Sequence, residues 1–336
     1  MKGKRIFSRS NIFFFVFAAI IFILVIYYFA EIKKDIKLLG KVKVYWLGLA
    51  FVAQFATYLF GALVYYELLR IFKLNLQLNI WKLIEVSIVT LFFNQTVPSA
   101  GISGNTFFFN FLAKRNVSPS YIIPFICIEL LTFYGAMEII AIVLLIVCFF
   151  LSHIPLAFFL IFGAGLLVYA AFAVGIVLLG KKKSVSVLYK KMTTTKFARK
   201  FLSKLTESVD GKIDLEKIKS PLYHLREHKT PVAKATLYQL CIFIADSFTI
   251  FVLFQGLGVP QSIIVVFIIL MLTKIISILP VSPGAVILYE SGMTFFLVSL
   301  GAPLGSAVIV TLLYRVLSFW LPILLGFILY RKFQLS

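Results

Sequence analysis

Long runs of apolar residues alternate with short polar segments along most of the chain. A helix needs about 20 apolar residues to cross the hydrocarbon core of a bilayer, because each residue adds about 1.5 Å. The first run follows Lys2, Lys4 and Arg5 and lacks a small-residue cleavage site, so we interpret it as an uncleaved span. The pattern predicts six full spans, at residues 12–30, 44–66, 121–151, 154–179, 233–255 and 304–330.

Two further apolar runs are interrupted by Pro and Gly, which end helices. Residues 83–113 are broken within 94–105, and residues 261–300 are broken at 280–284. Irregular backbone is costly in lipid unless protein buries it or it lines a cavity, because its polar groups lack partners. We therefore expect two re-entrant helical hairpins in an all-α polytopic membrane protein. The predicted breaks are Pro98, Gly101, Gly104, Pro280, Pro283 and Gly284.

Polar side chains beside these breaks have two alternative roles. They can satisfy the backbone groups that a break frees, or they can line the path of a polar headgroup. The candidates are Asn94, Gln95, Ser99, Ser103, Asn105 and Ser282.

The charge of the chain is strongly basic, with a net charge of +20 from 33 Lys/Arg against 13 Asp/Glu. In a soluble protein this excess would indicate nucleic acid, but here 61% of residues are hydrophobic and the basic residues lie between apolar runs. The excess therefore indicates membrane topology and anionic lipid headgroups. Residues 181–230 carry 14 Lys/Arg, which predicts a cytoplasmic loop on the same side as both termini. The five Lys of residues 31–43 run against this assignment.

Within that loop, Lys196 to Val209 has apolar residues at helical spacing among Lys and Arg. This pattern predicts a basic amphipathic helix on an anionic inner leaflet, or alternatively a solvated linker.

An inverted repeat follows from this topology. Residues 44–151 and residues 233–330 each contain a span, a hairpin and a span, and the extra span at 154–179 inverts the second copy. Many transporters use such repeats to build a central site between them. We expect residues 1–336 to form a single transmembrane domain.

Ionisable residues inside the predicted spans are candidates for function, because a charge in the membrane is expensive. Arg315 and Glu129 occupy equivalent places in the two repeats, so we expect them to pair or to flank a substrate headgroup together. A purely structural ion pair is the alternative.

Lys274, Glu290 and Asp246 are the other candidates. Lys274 could hold a phosphate together with Arg315, and Glu290 and Asp246 could meet a cationic headgroup or carry a proton. Glu138 is a candidate partner for Lys274. The three Cys and three His have no metal-like or nucleophilic arrangement, so we expect no metal, no cofactor and no catalytic site.

Two sequence motifs resemble the lysylphosphatidylglycerol synthase transmembrane-region family, also called flippase-like. The first is Val97-Pro-Ser-Ala-Gly-Ile-Ser-Gly104, followed by Phe111-Leu-Ala-Lys-Arg-Asn-Val117. The second is Leu279-Pro-Val-Ser-Pro-Gly284 with Glu290, followed by Leu313-Tyr-Arg-Val-Leu-Ser-Phe-Trp-Leu-Pro322. The resemblance covers residues 10–330. Many members have an acidic residue and an Arg where Asn105 and Phe108 stand here, and a further Gly within the stretch occupied here by Ala285 to Tyr289.

The resemblance implies the lipid-handling half of such synthases without the aminoacyltransferase domain. We expect a translocase in the cell membrane that moves an anionic, modified or polyprenyl-type lipid between leaflets. The alternative is a non-catalytic subunit that presents lipid to a separate lipid-modifying enzyme or glycosyltransferase. A membrane-embedded enzyme is a third hypothesis, but the sequence shows no arrangement of nucleophile or metal-ligating residues that would support it.

Overall fold

The computed structural model describes residues 43–72, 76, 78–97, 102–150, 156–179, 220–277 and 283–335, and all regular elements within them are helical. In chain order the α-helices are α1 (Val44–Ile71), α2 (Ile80–Thr96), α3 (Ile102–Ala113), α4 (Pro119–Phe150), α5 (Leu156–Leu179), α6 (Pro221–Glu227), α7 (Lys229–Gly256), α8 (Ile263–Ile276), α9 (Leu288–Ser299), α10 (Leu304–Arg315) and α11 (Leu321–Leu335). A 3-10 turn (Pro283–Ala285) precedes α9, and a π segment (Val316–Trp320) joins α10 to α11.

Several sequence predictions fall on residues outside these ranges. They are the span at 12–30, the amphipathic helix at Lys196 to Val209, and Pro98, Ser99, Gly101, Pro280 and Ser282.

Five helices are long and apolar enough to cross a membrane. They correspond to the predicted spans from residue 44 onward, and the fold class of an all-α polytopic membrane protein is confirmed. The last span is not one regular helix, because the π segment interrupts it directly after Arg315. The five are Val44–Ile71, Pro119–Phe150, Leu156–Leu178, Lys229–Gly256 and Leu304–Phe333.

Two helical hairpins lie between these spans. The arms of the first are α2 and α3, with 17 and 12 residues, and those of the second are α8 and α9, with 14 and 12 residues. At about 1.5 Å per residue each arm is shorter than the roughly 30 Å hydrocarbon core. Within each hairpin the two arms pack against one another. The structure places Asn94, Gln95, Gly104 and Asn105 within helices, so the first break is narrower than the predicted 94–105.

The two units from α1 to α4 and from α7 to α11 repeat the same packing. In each unit the first span contacts the first arm of its hairpin, and it also contacts the span that follows the hairpin. The two first spans, α1 and α7, pack together and run antiparallel. The Lys43 N–H before α1 donates to the Gly256 carbonyl at the end of α7 at 3.4 Å, and Phe60 stacks on Tyr238. Equivalent helices that run antiparallel are the arrangement expected of an inverted repeat.

The first hairpin depends on a close approach at Gly104. We expect Gly104→Ala to destabilise the fold by about 1–3 kcal/mol, because overpacked groups must move apart. A Cβ there would lie 2.5 Å from Asn94 Oδ1 and 2.6 Å from the Thr90 carbonyl oxygen. The measurement is thermal unfolding in detergent, followed by tryptophan fluorescence.

Gly135→Ala is the matched control, because a Cβ at Gly135 in α4 meets no atom within 4 Å. It should be neutral or stabilising by up to about 1 kcal/mol, since Ala favours helix over Gly. Equal unfolding temperatures for the two variants would contradict the close approach at Gly104.

Candidate functional site

A partly open cavity of about 480 Å³ lies between the two repeats. Helices α1 to α5 and α7 to α10 all contribute residues to its wall, together with the 3-10 turn and the π segment. The cavity brings together most of the candidates predicted from sequence. Glu290 and Gly104 do not line it, but each contacts a residue that does. The candidates that line it are Arg315, Glu129, Lys274, Asp246, Asn94, Gln95, Asn105 and Gly284.

Arg315 is the most enclosed charge of the cavity, with 7% of its side chain exposed. Its Nε donates to Glu290 Oε1 at 2.6 Å, and its Nη2 donates to the Gly284 carbonyl at 3.0 Å. The guanidinium carbon lies 4.6 Å from the ring centre of Tyr289 and 4.1 Å from that of Phe319. A carboxylate, a backbone carbonyl and two aromatic faces therefore compensate this buried cation.

The turn that Arg315 holds has an unusual backbone. Gly284, Ala285 and Ile287 have φ angles of 58°, 51° and 75°. Ile287 is β-branched, and a positive φ at such a residue is a strong outlier that costs on the order of 1–3 kcal/mol. Glu290 stabilises this conformation, because its Oε2 accepts from the Ile287 N–H at 2.7 Å. One carboxylate thus links the strained turn to Arg315.

Position 284 favours glycine because of its positive φ, and close packing is a second reason. A Cβ there would overlap the ring of Phe319, which belongs to the π segment. The second hairpin and the last span are therefore in direct backbone-to-ring contact at the cavity.

A second ion pair joins α8 to α7. Lys274 Nζ lies 3.0 Å from Asp246 Oδ2, with 21% and 8% of the two side chains exposed. The same ammonium lies 5.3 Å from the ring centre of Phe243. Both cations that line the cavity are therefore already neutralised by carboxylates.

These pairs correct two sequence predictions. Arg315 pairs with Glu290 rather than with Glu129, because α9 packs directly on α10 whereas Glu129 lies on the other repeat. Lys274 pairs with Asp246 rather than with Glu138, because α8 packs on α7. Both predicted pairings were wrong. The salt bridges of the described residues leave Glu129 and Glu138 without a cation.

The π segment exposes backbone carbonyls to the first repeat. The Leu321 N–H donates to the Val316 carbonyl, and Pro322 then has no N–H to continue the ladder. The Leu317 carbonyl accepts instead from the Tyr58 hydroxyl at 3.2 Å. The adjacent Ser318 carbonyl accepts from Gln95 Nε2 at 2.8 Å. Two side chains of the first repeat thus satisfy the broken helix of the second.

The break of the first hairpin is closed by Asn94. Its Oδ1 accepts from the Gly104 N–H at 2.8 Å, and the Ser103 hydroxyl donates to the Phe93 carbonyl at 2.8 Å. Asn94 and Gln95 therefore fulfil the first of the two roles predicted for the polar residues, which is to satisfy freed backbone groups.

A polar stripe on α1 was missed by the sequence analysis. Gln54, Thr57, Tyr58, Gly61 and Tyr65 all line the cavity. Their spacing of three, one, three and four residues places them on one helix face, although the run around them is apolar. This spacing could have identified them from the sequence. Charge could not, because none of the five residues is charged.

These features define the class of protein. It is a polytopic membrane protein in which two inverted units, each with a broken helical hairpin, enclose a polar cavity.

The family model for the lysylphosphatidylglycerol synthase TM region matches residues 14–326, and the chain belongs to this family. The chain is also similar to the UPF0104 membrane protein PH1989 of Pyrococcus horikoshii. That protein is 25% identical over 324 residues, which cover 92% of this chain and 93% of the relative. No solved structure matches the chain. Membership of the family indicates a role related to membrane lipids.

A double-mutant cycle tests the pairing of Arg315. We expect Glu290→Gln and Arg315→Gln to be coupled by on the order of 1 kcal/mol or more, because they remove the same contact. Glu129→Gln and Arg315→Gln should be additive within about 0.5 kcal/mol, since these two side chains form no ion pair. The measurement is reversible unfolding in mixed detergent micelles. Coupling of Arg315 to Glu129 alone would contradict the structure.

Proposed function

We propose that the protein is a lipid translocase, which moves an anionic, modified or polyprenyl-type lipid between the leaflets of the cell membrane. The observation that carries this proposal is the polar cavity, whose wall is built by both hairpins and by spans of both repeats. A site between inverted repeats can open to either side when the repeats rock against each other. Family membership supports a lipid as the substrate.

The size of the cavity fits a lipid headgroup. Its volume of about 480 Å³ lies within the range of roughly 300–1,000 Å³ that small-molecule sites have. A headgroup can enter such a space while the acyl chains stay in the surrounding hydrocarbon. The cavity then replaces the hydrogen bonds that the headgroup loses on leaving water.

The same arrangement suggests how the repeats move. The hydrogen bonds from Tyr58 and Gln95 end on the carbonyls of Leu317 and Ser318, where the last span is irregular. An irregular segment can change its hydrogen bonding at a lower cost than a regular helix can. We propose that this segment is the hinge on which the second repeat rocks. In this scheme both termini and residues 181–230 face the cytoplasm, on the side set by their basic charge.

Leaflet exchange in proteoliposomes tests the proposal. The probes are dithionite-quenchable phosphatidylglycerol, its lysyl form and a monoglucosyldiacylglycerol, together with a fluorescent polyprenyl phosphate. We expect the protein to speed exchange of at least one lipid class over empty vesicles. The paired change Lys274→Met with Asp246→Asn should slow it at least about tenfold, because it removes an ion pair from the cavity wall without leaving an isolated charge.

Glu67→Gln with Arg70→Met is the matched control. It removes an ion pair of 3.4 Å that does not line the cavity, so exchange should be retained. Absence of exchange for every lipid, in folded protein, would contradict the translocase proposal. It would favour the subunit that presents lipid to a separate enzyme, which co-purification would then identify.

A further inference from the structure

Several polar side chains of the cavity have no hydrogen-bond partner within the described part of the chain, and three of them lie in one layer. Glu129 of α4, Asn105 of α3 and Gln239 of α7 line the cavity, and their side chains take part in no hydrogen bond or ion pair there. Gln239 is only 5% exposed. Glu129 and Asn105 are half-buried. Polar groups enclosed in the interior of a protein normally have partners, so unpaired ones gathered in one cavity indicate a ligand. The cavity cations Arg315 and Lys274 are in contrast already paired.

Helix register places these three side chains at one level. Phe108 stacks on Phe125 with ring centres 4.8 Å apart, where α3 and α4 run antiparallel after a short connection. Asn105 lies one turn before Phe108, and Glu129 lies one turn after Phe125. The two therefore face the same layer of the cavity.

The same argument includes Gln239. Phe133 of α4 contacts Phe243 of α7 with ring centres 5.7 Å apart. Glu129 and Gln239 each lie four residues earlier, one turn below that contact. The end of α1 meets the start of α4, where Phe72 contacts Phe125, and the start of α1 meets the end of α7. Both α4 and α7 therefore run antiparallel to α1, so they are parallel to each other and keep this register. We name Asn105, Glu129 and Gln239 the amide-carboxylate cluster.

This cluster is separated from the ion pairs along α7. Gln239 and Asp246 are seven residues apart, so they share a helix face and lie about 10 Å apart along its axis. The cavity therefore has a neutralised ionic end at Asp246 and an unpaired end at the amide-carboxylate cluster.

Two further amide oxygens in the wall lack a donor, those of Gln54 and Gln95. Their orientation is fixed by chemistry. Gln95 Nε2 donates to the Ser318 carbonyl, which can only accept. Gln54 Nε2 donates to the Thr57 hydroxyl, and that hydroxyl donates its own hydrogen to the main-chain carbonyl of Gln54. Neither amide can be turned round without losing a hydrogen bond, so both oxygens remain acceptors.

We propose that the cavity selects a lipid with a hydroxyl-rich headgroup, such as a sugar or polyol, and that the amide-carboxylate cluster binds its hydroxyls. The groups left unpaired are amides and the hydroxyls of Tyr169 and Ser277, which can donate and accept, together with a carboxylate, which accepts. A phosphate only accepts and is repelled by Glu129. An ammonium only donates and leaves the amide N–H groups unpaired. A hydroxyl does both and satisfies the whole set.

This inference rests on the proposed lipid function, but a binding measurement tests it separately from transport. The purified protein in detergent is titrated with monoglucosyldiacylglycerol, phosphatidylethanolamine or phosphatidic acid, and bound lipid is counted by native mass spectrometry. We expect the glycolipid to bind at least about tenfold more tightly than either other lipid. Glu129→Gln and Asn105→Ala should each weaken its binding at least about fivefold.

Matched controls exist on the same helices. Glu138→Gln lies on α4 and Asn110→Ala lies on α3, and neither residue lines the cavity, so both variants should bind the glycolipid as the wild type does. Tighter binding of phosphatidylethanolamine or phosphatidic acid overturns the inference, and so does glycolipid binding that is insensitive to Glu129→Gln and Asn105→Ala. Selective glycolipid binding without any leaflet exchange overturns only the translocase proposal.

Discussion

Every break of a helix inside this protein leaves backbone groups that lipid cannot satisfy, and the structure is organised around supplying partners for them. Asn94 accepts from the backbone of Gly104, which closes the first hairpin. Arg315 donates to the carbonyl of Gly284, which fixes the second. Tyr58 and Gln95 donate to two carbonyls of the π segment in the last span. The last two of these contacts cross from the first repeat to the second, so they satisfy the backbone and also hold the two repeats together.

The treatment of charge follows the same logic. Arg315 and Lys274 are each accompanied by a carboxylate and by aromatic rings, so the membrane contains two compensated pairs rather than isolated cations. Buried pairs of this kind add little to stability in themselves, but separating the partners is costly. They are therefore well suited to give the cavity polarity without attracting an unselective counter-ion. Glu129 departs from this rule, which is why it draws attention as a point of ligand contact.

The sequence predicted the fold well where the signal was local. Apolar runs gave the spans from residue 44 onward, and Pro and Gly gave the two breaks. Ion pairing was not predictable in the same way, because the partner of Arg315 depends on which helices pack together in space. Glu129 has an equivalent place in the repeat, but Glu290 is on the adjacent helix. The polar stripe beginning at Gln54 was readable from spacing, whereas the π segment depends on how Pro322 ends the hydrogen-bond ladder.

The role of Pro322 has an evolutionary consequence. The acceptors that tie the last span to the first repeat are the carbonyls of Leu317 and Ser318, and a main-chain carbonyl is present whatever residue occupies the position. Side-chain drift at these two sites therefore cannot delete the acceptors. Substitution deletes a hydrogen-bonding group of this connection at its donors, Tyr58 and Gln95, and substitution of Pro322 supplies an N–H that competes for the carbonyls. The hydrogen bonds between the repeats therefore depend directly on the identity of only three residues, Tyr58, Gln95 and Pro322.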